Sequence, residues 1–159
     1  MAAFCPDVIV YVCNNCMPAG GRLPRQWQHD GAWVVVREVP CSGKMDAQYF
    51  FHALEAAARG LCVVTCPKGE CHLAQGNYRA EVRIGTVRRL LAEIGYEPQR
   101  IELLRQSPQE PFERFERTVR DAVARICALG ESPLRAANGR QPAEGEHRGS
   151  KENEPTAAH

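Results

Sequence analysis

Apolar residues come first in short β-branched runs, then in longer stretches with helical spacing, and the two kinds alternate along the chain. Asp7 to Cys13 (DVIVYVC) is short, rich in valine and bounded by Pro6, which predicts a buried strand. Ala32 to Val39 (AWVVVREV) and Gly60 to Cys66 (GLCVVTC) predict two more, and Arg100 to Leu104 (RIELL) a weaker fourth. Asp46 to Arg59 places Tyr49, Phe50, Ala53, Leu54 and Ala57 on one helical face, with Asp46 suited to the first turn and Gly60 beyond the end. Tyr78 to Ile94 repeats the pattern through Val82, Val87, Leu90, Leu91 and Ile94 and is closed by Gly95. Phe112 to Leu129 does so through Phe115, Val119, Val123 and Ile126 and is closed by Gly130. Met17 to Asp30, with Pro18, Gly20, Gly21 and Pro24, reads as a loop with at most a short helix around Arg25 to His29.

Alternating strands and helices imply a parallel sheet with crossover helices. The expected fold is α/β: a small flavodoxin-like three-layer sandwich with a four-stranded parallel sheet and a disordered C-terminal tail. Residues 1–130 form the expected domain. From Glu131 to His159 Pro, Gly, Glu, Arg, Asn and Ser dominate, which predicts the disordered tail.

With 159 residues there is enough chain for one ordinary core. A net charge of +1 provides no strong field for nucleic acid or an anionic membrane. No apolar run approaches the roughly 20 residues that span a bilayer. The opening Met1-Ala-Ala-Phe-Cys-Pro has neither a basic n-region nor a long apolar h-region, so no signal peptide is expected and the chain is placed in the cytoplasm. No Ser–His–Asp set, P-loop or GxGxxG is present.

The chemistry lies in eight cysteines. In a reducing compartment, clustered cysteines bind metal or do redox work more often than they form disulfides. In an open α/β sheet ligands bind beyond the carboxyl ends of the strands. Cys13 and Cys16, then Cys41, then Cys66 and Cys71 follow the ends of three successive predicted strands, so the topology brings five thiols to one rim. Cys62 lies within a strand, Cys127 on the apolar side of the last helix and Cys5 at the opposite end of the sheet. Four thiolates suit zinc or an iron–sulfur cluster. By spacing alone a cluster, zinc and a dithiol redox site stand level. Gly43 and Gly69 free backbone N–H groups toward the thiols, and Cys41-Ser-Gly is expected to lead into a helix N-terminus.

Val12-Cys-Asn-Asn-Cys16, Val39-Pro-Cys-Ser-Gly-Lys44 and Cys66-Pro-Lys-Gly-Glu-Cys-His72, continued by Gly76-Asn-Tyr-Arg79, resemble the delta (iron–sulfur) subunit of methyl-viologen-reducing hydrogenase. The resemblance runs from about Asp7 to Gln106. It implies a [2Fe-2S] cluster and electron transfer between a hydrogenase or formate dehydrogenase and a heterodisulfide-reductase-type flavoprotein. Carried over by position, the implied ligands are Cys13, Cys16, Cys41, Cys66 and Cys71. The two close pairs are preferred, with Cys41 as the alternate. The Pro- and Gly-rich Met17 to Pro24 loop departs from the family's more helical pattern there.

Two other readings remain. A zinc-stabilised interaction module uses the same thiols to hold loops. A thiol–disulfide oxidoreductase uses Cys13-x-x-Cys16, although no clear helix follows that motif to lower a thiol pKa. His72 is a candidate hydrogen-bond donor or ligand beside Cys71, and Lys44 and Lys68 are candidate charge partners. Asn77 reads as a helix N-cap. Arg79, Arg83, Arg88 and Arg89 read as a basic face. Trp33 reads as core and Trp27 as partner surface.

Overall fold

The computed structural model describes residues 5–137. Its centre is two strands with every residue buried, β1 (Val8–Cys13) and β4 (Gly60–Thr65). Continuous apolar character of this kind belongs to parallel strands covered on both faces. β1 pairs in parallel with β3 (Ala32–Val39) on one side and β4 on the other, and β4 pairs in parallel with β5 (Ile101–Arg105).

The expected four-stranded sheet gains a fifth strand. β2 (Gln26–His29) runs antiparallel to β3 and forms the edge of a five-stranded mixed sheet ordered β2-β3-β1-β4-β5. This segment is therefore neither loop nor helix. Asp30 and Gly31 both take positive φ, 46° and 77°, and join His29 directly to Ala32 in a two-residue hairpin turn. Asp-Gly is well suited to the left-handed conformation that such a turn needs at both positions.

Helices cover both faces. α1 (Ala47–Glu55) and α2 (Gly76–Glu93) bury Phe50, Leu54, Ile84, Val87 and Leu91 against Ile9, Leu61 and Val63. α3 (Phe112–Ala128) buries Phe115, Val119, Val123 and Ile126 against Val8, Val10, Val12 and Val64 on the other face. The inward stripe of α2 is Ala80, Ile84, Val87 and Leu91, whereas Val82, Leu90 and Ile94 are exposed. Apolar residues on both sides of this helix blur, in the sequence, which face turns inward.

Arg100 locks the far end of the sheet. Its side chain is among the largest fully buried ones, 1% exposed as a residue, and it donates to the carbonyls of Arg59, Leu129, Gly130 and Glu131. Its Nε donates to Glu97 at 2.6 Å. The guanidinium thus satisfies carbonyls at the end of α3, where the helix dipole favours a cation.

The packed chain runs past residue 130. A short helix, α4 (Pro133–Ala137), follows, Ser132 is buried, and the Tyr96 and Ser132 hydroxyls hydrogen-bond at 3.0 Å. Arg135 donates to Asp7 at 2.6 Å, tying α4 to the start of β1. The expected tail therefore does not begin at Glu131; residues 138–159 lie outside the described residues.

Candidate metal centre

The strand ends deliver the cysteines as the topology requires. Cys13 closes β1, a 3₁₀ turn at Asn14–Cys16 carries Cys16 back over the sheet, and Cys66 follows β4. Val12 is paired with Val64, so Cys13 and Cys66 emerge at almost the same level. The Sγ atoms of Cys13, Cys16 and Cys66 all lie within 4.8 Å of one another. A tetrahedral site with metal–sulfur bonds of ~2.3 Å needs sulfurs about 3.8 Å apart, so this spacing suits a shared metal. The three residues are 2%, 0% and 2% exposed.

Cys41 and Cys71 approach from two other loops and meet at Gly76. The Gly76 N–H donates to Cys71 Sγ at 3.1 Å. Cys41 Sγ fills the place that a Cβ on Gly76 would take. Gly43 N–H donates to Cys41 Sγ at 3.4 Å. All five predicted cysteines are thus at one rim, three as a close triad and two beside it. Cys5, Cys62 and Cys127 are elsewhere, as expected: Cys5 donates to the Ala56 carbonyl at 2.6 Å, Cys62 is buried within β4, and Cys127 is half-buried on α3.

The expected helix N-terminus is present, but it belongs to a different helix. α1 starts after Asp46, its cap and the fifth residue beyond Cys41, whereas α2 begins at Gly76 against both outer thiols. The α2 cap is Gln75, in the left-handed conformation. Asn77 is not the cap. It is buried in the first turn, and its amide donates to the carbonyls of Cys66 and Pro67 at 3.3 and 2.6 Å. It therefore pins the strand end that carries Cys66.

The electrostatics separate the thiols. The hydrogen bond shared with Cys16 draws Cys13 down to about 5, against the opposing effect of burial and with help from the Ser42 and Asn15 amides. Cys16 is pushed up by that same bond, by burial and by the Cys13 and Cys66 charges. Burial, then the Cys13 charge, pushes Cys66 up to about 12. Burial is the largest single influence on Cys71 and raises it, but the backbone groups of Asn77, Leu73 and Gly76 together outweigh it and leave its pKa below the ordinary thiol value. Three thiols brought together, with backbone amides aimed at the outer two, form a donor set prepared for a soft cation.

Several supports have no signature in the sequence. Ser42 and Thr65 hydroxyls hydrogen-bond at 2.8 Å in the interior, joining the Cys41 turn to the end of β4. Arg83 donates to the carbonyls of Gly43 and Met45 at 2.8 and 2.9 Å, and Arg88 donates to the Ile101 carbonyl at 2.8 Å. These two arginines are therefore structural rather than part of a free basic face. His72 is exposed, and Lys68 pairs with Glu81 at 3.7 Å. Trp27 packs half-buried on the α3 side, with the Arg120 guanidinium 5.0 Å from its ring, so it is not a free surface residue.

The Cys13-x-x-Cys16 pair lacks the helix and the access that disulfide exchange needs. Only a 3₁₀ turn follows Cys13, and both residues are buried. Among the described residues no helix is long and apolar enough to cross a membrane.

The family model for the methyl-viologen-reducing hydrogenase delta subunit matches residues 8–130. The chain is 32% identical over 126 residues to the iron-sulfur subunit of the F420-non-reducing hydrogenase of Archaeoglobus profundus, covering 79% of this chain and 91% of that protein. It is 36% identical over 133 residues to the vhu iron-sulfur subunit of the F420-non-reducing hydrogenase of Methanocaldococcus jannaschii, covering 82% of this chain and 98% of the relative. It is also 31% identical over 127 residues to one subunit of the ferredoxin:CoB-CoM heterodisulfide reductase of Methanosarcina mazei. There the match covers 79% of this chain but only 16% of the longer protein.

Proposed function

Because the chain belongs to the methyl-viologen-reducing hydrogenase delta-subunit family, we propose that it holds a [2Fe-2S] cluster and relays electrons between larger redox subunits. The donor is a hydrogenase or formate dehydrogenase, and the acceptor is a heterodisulfide-reductase-type flavoprotein. The protein works in the cytoplasm. Its ligands are drawn from Cys13, Cys16, Cys41, Cys66 and Cys71.

The observation that carries this reading is the buried triad of Cys13, Cys16 and Cys66, with two more thiols on amides at the same rim. Relatives named as hydrogenase iron-sulfur subunits and as part of a heterodisulfide reductase support the two kinds of partner. The parallel strands, taken alone, lie in the order β3-β1-β4-β5, which supports a flavodoxin-like ancestry for the sheet. When bound, the cluster supplies one-electron chemistry. The chain supplies its sulfurs, the amides of Gly43 and Gly76 that tune them, and a shell that keeps water from the inner three.

Anaerobic purification tests the reading. The protein should be brown, with about two irons and two acid-labile sulfides per chain, and dithionite should produce an EPR signal from the reduced cluster. A colourless protein with stoichiometric zinc would overturn it and establish a zinc-held interaction module instead.

A further inference from the structure

Five thiols stand where four ligands suffice, and their supports divide them three and two. Cys13, Cys16 and Cys66 form the mutual triad. Cys41 and Cys71 come from separate loops and converge on one residue, Gly76, from different sides. Each has a backbone N–H of its own, Gly43 for Cys41 and Gly76 for Cys71. Neither joins the triad within the same 4.8 Å.

We propose that Cys41 and Cys71 are alternative fourth ligands, exchanging at one coordination position while Cys13, Cys16 and Cys66 stay bound. This rests on the iron–sulfur reading above. In the exchange one iron–sulfur bond forms and another breaks. The entering thiol gives up its proton, the leaving thiolate takes one up, and no electron moves.

The two positions differ in rigidity. The Cys41 turn is pinned by the Ser42–Thr65 bond and by Arg83 on the Gly43 and Met45 carbonyls. Cys71 sits in a loop whose next residues, His72 and Leu73, are exposed, Leu73 by 52%. Ligation through Cys41 is therefore the closed arrangement, and ligation through Cys71 is the one that contact at the surface reaches.

The test is anaerobic reconstitution with ferrous iron and sulfide of the full chain and of Cys41→Ala, Cys71→Ala, Cys41→Ala/Cys71→Ala and Cys66→Ala. Each outer single variant should keep wild-type iron within about twofold, and the double variant and Cys66→Ala should each fall roughly tenfold or more. Cys71→Ala, bound through the pinned turn, should lose iron to a chelator more slowly than Cys41→Ala. Gly76→Ala tests the seat with both thiols intact. A Cβ there displaces Cys41 Sγ, so Gly76→Ala alone should keep iron and Gly76→Ala/Cys71→Ala should lose it. Circular dichroism separates loss of ligand from loss of fold. The proposal is overturned if either outer single variant, still folded, loses as much iron as Cys66→Ala, or if the double variant keeps it. Wild-type protein that takes up no iron and sulfide would instead sink the cluster reading itself.

Discussion

Gly43 and Gly76 pack backbone against backbone: a Cβ built on Gly43 would stand 2.6 Å from Gly76 Cα. One belongs to the 3₁₀ turn at Ser42–Lys44 and the other opens α2. Neither needs a positive φ; what each needs is the space. The contact sets the distance between the Cys41 turn and the α2 N-terminus, and so the relative position of the two outer thiols.

Gly43→Ala should therefore cost more than a surface substitution. The obstacle is backbone, which cannot swing aside, so the loss should be about 1–3 kcal/mol as for other overpacked sites. Urea unfolding measures it. A variant with wild-type stability would show that the two segments yield freely.

The buried Ser42–Thr65 hydroxyl pair should behave asymmetrically. Ser42→Ala alone leaves the Thr65 hydroxyl unsatisfied and should cost about 1–3 kcal/mol. Adding Thr65→Val removes the orphan and should recover part of that loss. A double-mutant cycle reads the coupling, and strict additivity would show that the bond does not join the turn to the strand.

Cys62 and Cys66 are four residues apart yet should respond oppositely. Cys62 is wholly buried inside β4, where burial, then the Glu102 charge, raises its pKa and keeps it protonated. Cys62→Ala should keep the iron and lower the melting temperature, because it opens a small cavity in the interior. Cys66→Ala should lose the iron. Iron analysis beside thermal melts distinguishes them, and iron loss in Cys62→Ala would overturn the assignment of the site to the strand ends.

Arg100→Met should be among the most damaging substitutions away from the cysteines. It strands the carbonyls of Arg59, Leu129, Gly130 and Glu131 and frees Glu97 from its ion pair. Leaving a carbonyl without its donor costs about 1–3 kcal/mol where water does not reach it, and four lose theirs together. Equilibrium denaturation checks this, and a loss under about 1 kcal/mol would mean that water replaces the guanidinium at the end of α3.

The cysteine rim is legible in the sequence because it follows from strand order alone. β-branched runs mark β1, β3 and β4, and whatever follows neighbouring parallel strands must share an end of the sheet. β2 escapes such a reading because Trp27 is the only strongly apolar residue in Gln26–His29, which leaves alternation nothing to act on. The Asp30-Gly31 pair carries the hairpin signal, and the prolines upstream mask it. Asn77 misleads because a good capping residue stands one position after another good place to start, the glycine before it. The roles of Gly76 and Arg100 are not visible at all. Each depends on atoms contributed from distant segments: the Cys41 sulfur in one case, the carbonyls of Arg59 and of the α3 end in the other.

The enclosure of Cys13 and Cys16 also bears on how the protein is made. A sulfur that solvent scarcely touches is equally hidden from an iron donor, since both are 2% exposed or less. Loading the proposed cluster into a finished chain therefore requires this rim to open, whereas loading during folding does not.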